Sequence, residues 1–333
     1  VDDRGSLWIG SYYGGINHFD ENYNRFVNFT KAPSGNGLAA DVVSSFVEDQ
    51  KGHFWIGTEG GGLNYFNRQT GAFNWYQADV EQVNTLSGNN VKHLLLDGNQ
   101  LWIGTFQAGL NVFDIETQRF RIYRHQADVP NSLANDNVYG LKKMGNRLWI
   151  LTYGGGLNIL ELEQNQFYNY THDVRDPQSL SSDLTRVFLE TIDGQLWIGT
   201  ERGLNKVELG NDGFPSSFST VLREDKVYTL QENHHQNIWI GTISNGLYCF
   251  APKTQKLQHF TEADGLPGNT IFGVLEAENG DIWISTNNGL SRYTPTSQSF
   301  TNYSHSNGLE NVEYNFNAYF KASTGELLFG GVN

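Results

Sequence analysis

The chain reads as short runs of apolar and aromatic residues separated by clusters of Gly, Asn and Asp. The stretch 41–78 shows the pattern best. Residues 42–48 (VVSSFVE), 54–58 (FWIGT), 62–66 (GLNYF) and 72–76 (AFNWY) are four such runs, with turn-forming residues at 49–52, 59–61 and 67–71. Runs this short, rich in β-branched and aromatic residues and bounded by turn formers, predict four antiparallel strands joined as a meander. The second run is apolar at successive positions, Phe54, Trp55 and Ile56, rather than at alternate ones. A strand with that pattern belongs to a sheet covered on both faces.

The same unit recurs along the chain. A Trp followed by Ile stands at Trp8, Trp55, Trp102, Trp149, Trp197, Trp239 and Trp283, at spacings of 47, 47, 47, 48, 42 and 44 residues. A β-rich period of about 40 to 50 residues marks four-stranded sheets arranged in a ring, since one such unit cannot bury a core until its neighbours stack on it. The expected fold is all-β: a single seven-bladed β-propeller of four-stranded antiparallel blades over residues 1–333, each blade centred on one of those tryptophans. The Gly after Ile (Gly10, Gly57, Gly104, Gly199, Gly241) is expected to make room for a neighbouring indole. The recurring Gly-Leu, as at Gly62-Leu63 and Gly246-Leu247, is expected to supply a positive φ before the third strand.

The ends suggest how the ring closes. The first copy lacks its first strand, and the chain opens in mid-repeat with Val1-Asp2-Asp3-Arg4-Gly5, as a segment cut from a longer protein would. After the seventh copy, residues 314–320 read as another first strand and 326–330 as a degenerate second one, with Leu328 in the Trp position. Strands from the N- and C-termini are therefore expected to close the ring and remove a free sheet edge, leaving one strand surplus.

Composition narrows the function. The chain is 38% apolar, 14% aromatic and 17% charged, which is the profile of a folded β protein rather than a disordered one. A formal net charge of −14 counts against nucleic acid or an anionic membrane as partner. Cys249 is the lone cysteine, so no internal disulfide forms, and its place between Tyr248 and Phe250 reads as buried filler. No apolar run approaches the roughly 20 residues that cross a bilayer, and no signal peptide is present. There is no His-x-x-x-His pair, cysteine cluster, acidic calcium loop or Gly-x-Ser-x-Gly elbow, so neither a metal, a cofactor nor a catalytic group is predicted. His234-His235 reads as an exposed turn. Glu48, Glu190, Glu232 and Glu276 recur seven residues before the Trp and read as turn caps. Trp75, off the repeat register, marks a contact surface.

A second phrase links the repeats: Asn84-Thr-Leu-Ser-Gly-Asn-Asn-Val91, Asn131-Ser-Leu-Ala-Asn-Asp-Asn-Val138 and Gln178-Ser-Leu-Ser-Ser-Asp-Leu-Thr185. Together with Leu-Trp-Ile-Gly-Thr and Gly-Gly-Leu-Asn, it closely resembles the two-component regulator propeller repeat, over essentially the whole chain. The resemblance implies the periplasmic sensor region of a hybrid two-component regulator anchored in the inner membrane, or of a relative linked to a diguanylate cyclase. It implies a non-catalytic domain that recognises an oligosaccharide or other small molecule. It further implies a neighbouring propeller and an immunoglobulin-like domain in the same chain, a homodimer in the full-length protein, and a histidine kinase or cyclase as output. Two other readings stand beside it: a streptogramin-lyase-like enzyme, which requires a metal and a catalytic His, and a purely structural or interaction propeller.

In a four-stranded blade, the turn after the second strand and the connection into the first strand emerge on one face. Positions that vary there between copies are candidates for binding. They are Tyr12, Tyr13, Phe106, Gln107, Tyr153, Arg202 and Asn288 in the turns, and Lys92, Tyr139, Arg186, Tyr228 and Phe272 near the start of the first strand. Ser44 and Asn317 hold the same inner-strand position in other copies. Aromatic rings can stack on pyranose faces while amides and cations bond hydroxyls. Lys92 and Arg186 would favour a uronic acid or sulfated glycan.

Overall fold

The computed structural model describes the backbone of residues 7–11 and 15–19, and residues 26–31, 36–309 and 312–332 in full. Six four-stranded antiparallel sheets follow one another along residues 43–76, 91–123, 138–170, 185–221, 227–260 and 271–303, here blades one to six. Within each, strand order follows the chain, from an inner strand through the Trp-bearing strand and a third strand to the outer edge. In blade one the strands are Val43–Glu48, Phe54–Thr58, Gly62–Phe66 and Phe73–Tyr76, within one residue of the sequence expectation.

The expectation of seven four-stranded blades is corrected: six are complete, and two further hairpins stand as separate two-stranded sheets. The head hairpin pairs Leu7–Ser11 with Gly15–Phe19, and the tail hairpin pairs Tyr314–Lys321 with Leu327–Gly331. The inner tail strand packs between the inner strands of blades six and one, so the tail hairpin fills the seventh sector. The head was expected to supply the strand beside it. That edge is taken by the tail's own Leu327–Gly331, whose Gly330 meets Val43 of blade one just as Gly57 meets Val91 of blade two.

The core is a series of inter-blade layers. Trp55 packs with Leu94, Leu101 and Ile103 of blade two, and Trp102 with Leu141, Leu148 and Ile150 of blade three. Trp149, Trp197 and Trp239 repeat the contact onto blades four, five and six. Two more layers, Trp283 with Tyr314 and Phe329, and Phe320 and Leu328 with Val43 and Ile56, join the tail to blades six and one. Each blade is thus wedged between neighbours, and the double-sided apolar pattern of the Trp strand is satisfied. The cost is polar: the indole nitrogens of Trp55, Trp102, Trp197 and Trp239 are buried with no hydrogen-bond acceptor among the described residues.

The glycine after Ile faces a different neighbour from the one expected. A Cβ on Gly57 would lie 2.5 Å from Val91 Cγ1, and one on Gly104 2.7 Å from Val138 Cγ1, both at the start of the next blade's inner strand and not on an indole. Gly62, at φ 73°, does hold the left-handed turn conformation. The linking phrase docks its Leu (Leu86, Leu133, Leu180) into the core, and the next backbone N–H donates to the side chain of Asn111, Asn158 or Asn205 in the third strand. On the opposite face the recurring glutamates cap the turn of the preceding sector: Glu232 accepts from Ile192 N, Glu276 from His234 N and Glu48 from Ser323 N.

Candidate functional site

The inner strands share one irregularity. In all six blades their pairing with the Trp strand slips by one residue, between Val43 and Ser45, Val91 and His93, Val138 and Gly140, Thr185 and Val187, Val227 and Thr229, and Ile271 and Gly273. The extra residue at each slip is Ser44, Lys92, Tyr139, Arg186, Tyr228 or Phe272. These are the variable inner-strand positions picked from the sequence. A β-bulge leaves one residue outside the ladder and re-aims its side chain. Here the bulges in blades two to six gather Lys92, Tyr139, Arg186, Tyr228 and Phe272 around the bore, while Ser44 of blade one is buried and donates its hydroxyl to Val91 O at 2.6 Å.

The tail contributes a longer irregularity. Its pairing jumps from Tyr314 to Tyr319, freeing residues 315–318, with Asn317 at φ 60°. These residues cross the bore. Asn315 Nδ2 donates to Val43 O at 3.0 Å and to Glu59 Oε1 at 2.8 Å, both in blade one. Asn317 Nδ2 donates to Tyr139 O of blade three at 3.2 Å. The Phe316 ring lies 4.5 Å from Tyr228 and 4.8 Å from Phe272. Below them the Tyr319 ring covers Gly273 of blade six. Burial pushes the Tyr319 phenol up.

Above this stopper lies a cup of about 280 Å³. Glu59, Lys92, Tyr139 and Arg186 form one side, and Asn315, Phe316 and Asn317 the other. Two ion pairs dominate it. Lys92 Nζ stands 2.6 Å from Glu59 Oε1, with 5.5 Å to the Tyr139 ring and 5.7 Å to the Phe106 ring. Arg186 donates through Nη2 and Nε to Glu201 Oε1, at 3.0 and 3.3 Å. Its guanidinium carbon lies 4.0 Å from the Tyr153 ring and 4.5 Å from those of Tyr139 and Tyr228, a cation held by three aromatic faces.

The electrostatics follow from this packing. Tyr228 donates its hydroxyl to Glu201, and Lys226 stands 3.6 Å from the other carboxylate oxygen. Burial alone would raise the Glu201 pKa, but Tyr228, Arg186 and Lys226 outweigh it and hold the carboxyl below its usual range. Burial works against the charge on Arg186, yet Tyr228, Tyr139 and Glu201 keep it above its ordinary value. Burial raises the Tyr139 and Tyr228 phenols, which stay protonated, and Tyr228 donates to Glu201. His93, next to Lys92 on the inner strand, is pushed by burial down to about 4.

Of the residues picked from sequence, Lys92, Phe106, Tyr139, Tyr153, Arg186, Tyr228 and Phe272 form this connected cluster. Gln107, Arg202 and Asn288 stay on exposed turns outside it: Gln107 is tethered to Asn137 through its backbone N–H, and Asn288 Nδ2 donates to Pro267 O at 3.0 Å. Tyr12 and Tyr13 lie outside the described residues. Four participants were missed. Glu59 and Glu201 differ from their counterparts in other repeats, so the variability that flagged their neighbours was a usable signal. Asn315 and Phe316 carried none, because the tail bulge has no counterpart in the repeat.

A larger, open cleft of about 560 Å³ lies against the outer strands of blades one and two, beside Trp75, Asp79, Asn84 and Phe120. Its polar groups already bond within the chain: Trp75 Nε1 to Gly37 O, Asp79 to Gln82, Asn84 to Gln118 and Phe120. The smaller cup, with its converging charged groups, is the better site. Among the described residues no group of three or more His, Cys, Asp or Glu is placed to hold a metal, and no helix is long and apolar enough to cross a membrane.

Comparison with known proteins agrees with the repeat. Residues 37–60 and 265–288 match the two component regulator propeller family. Histidine kinase P4 of Formosa agariphila is 28% identical over 147 residues, covering 41% of this chain and 10% of that protein. An extracellular domain assigned to a hybrid two-component system of B. thetaiotaomicron superposes with a TM-score of 0.75 at 26% identity, over 92% of this chain and 41% of that one. A streptogramin B lyase shares the fold alone, with a TM-score of 0.66 at 14% identity over 92% of this chain and 95% of the enzyme. The chain thus spans a tenth of its curated relative and about two fifths of the solved extracellular domain. Two stretches of the chain thus match the two component regulator propeller family, and its fold is similar to that of the extracellular domain of a hybrid two-component system.

Proposed function

We propose that this chain is a ligand-sensing domain of a two-component signal transduction protein, placed outside the cytoplasm in the periplasm, and that the cup at the mouth of the ring is where it binds. The observation that carries this reading is the pattern of the bulges. The scaffold repeats from blade to blade, while the bulge position varies among Lys92, Tyr139, Arg186, Tyr228 and Phe272, which is what a binding surface built on a fixed frame requires. The resemblance to an extracellular two-component domain supports the sensor role and the location. The ligand is an oligosaccharide, of which a cup of about 280 Å³ admits one terminal ring. The signal passes to an output kinase or cyclase through a dimer of the full-length protein. The domain itself binds and does not catalyse.

A glycan array followed by calorimetry on the purified domain tests the reading. A saccharide hit should weaken at least tenfold in Tyr139→Ala and in Asn317→Ala, with no change in Arg202→Ala, which lies outside the cup. An array with no hit, or a hit indifferent to both cup substitutions, would refute it.

A further inference from the structure

We propose that Glu59 and Glu201 set the charge of the ligand, so that the cup takes an uncharged sugar ring and refuses a uronate or other anion. This rests on the reading of the cup as a saccharide site and goes beyond it, because it reverses the preference that Lys92 and Arg186 suggest when read as isolated cations.

Neither cation is available. Arg186 gives two N–H groups to Glu201 and has three tyrosine rings around its guanidinium, and its side chain is only 12% exposed. Lys92 is paired to Glu59 at 2.6 Å, and Asn315 holds that carboxylate in place from the tail. An incoming carboxylate would have to displace a carboxylate already seated. It would lose its own hydration on entry and meet the repulsion of the displaced group. A neutral ring meets no such competitor. Its hydroxyls can donate to Glu59 Oε2 and to the Asn317 side-chain carbonyl, neither of which accepts a hydrogen bond among the described residues. Discrimination by leaving the wrong ligand's charge unpaired is stronger than discrimination by fit alone.

The test uses pairs that differ only at C6, glucose with glucuronate and galactose with galacturonate, titrated calorimetrically into wild type, Glu201→Gln and Glu59→Gln. Glutamine keeps an acceptor for Arg186 and Tyr228 while removing the charge, and circular dichroism with a thermal melt confirms folding. Glu59, the more exposed carboxylate, provides the second variant if Glu201→Gln does not fold. Wild type should bind neither uronate, and at least one glutamine variant should gain uronate affinity tenfold or more. Uronate binding to wild type on a par with the matching hexose overturns the proposal, as does a failure of both folded variants to gain it. The hexose arms report separately: if wild type binds neither hexose nor any arrayed glycan, the saccharide reading falls, while the uronate gain still decides the charge claim.

Discussion

Arg186 is the residue on which the site is most finely balanced. It is buried against three tyrosines and one carboxylate, so removing it leaves Glu201 with only the Tyr228 hydroxyl and the more distant Lys226 as partners. Breaking a buried pair costs more than deleting both partners, because the remaining charge is left without compensation. Arg186→Ala is therefore expected to lower unfolding free energy by about 3 kcal/mol, and Arg186→Ala with Glu201→Ala by less than the single change, as chemical denaturation will measure. His93 gives a pH signature of the opposite kind. Its folded pKa, pushed to about 4 from an ordinary 6.5, means that the unfolded chain takes up the proton first as pH falls. The stability it costs is nil above pH 6.5 and grows to about 3 kcal/mol as pH approaches 4. His93→Gln should flatten the slope of denaturation free energy between those two pH values. Glu201, held low, adds a loss at more acid pH still, as its carboxylate protonates in the folded state.

At the scale of strands, the meander, the Trp layers and the left-handed glycines were legible because each obeys a local rule repeated in copy after copy. What a single strand could not disclose was the slip at its start. Nothing in VKHLLLD or TRVFLE announces a bulge, since the pairing register is a property of two strands. Comparison between repeats still found the displayed positions, because their side chains vary where the scaffold does not. The close approach at the glycine after Ile was expected, but its partner was misassigned: the next blade's inner strand arrives there before any indole. Gly241 is the tightest case, squeezed from both sides, with a Cβ 2.3 Å from Thr229 Cγ2 of its own blade's inner strand and 2.6 Å from Ile271 Cγ2 of the next. Gly241→Ala should destabilise by about 1–3 kcal/mol through overpacking and lower the melting temperature accordingly.

For the whole molecule, closure depends on the tail. Seven tryptophans led to an expectation of seven full blades, whereas the seventh sector is filled by a hairpin whose second strand carries Leu328 in place of Trp. The inner layer still closes, through Phe320 and Leu328 on one side and Tyr314 and Phe329 on the other. Removing residues 312–332 should expose blades one and six together, and hydrogen exchange there should accelerate while blades three and four keep their protection.

The stopper formed by residues 315–319 has a further result. A solute seated on those residues spends its residence against the strand that fastens the circle. Occupancy and mechanical closure are then the same event felt at one place. A bound sugar should raise the melting temperature and slow amide exchange across Tyr314–Lys321 more than in any single blade.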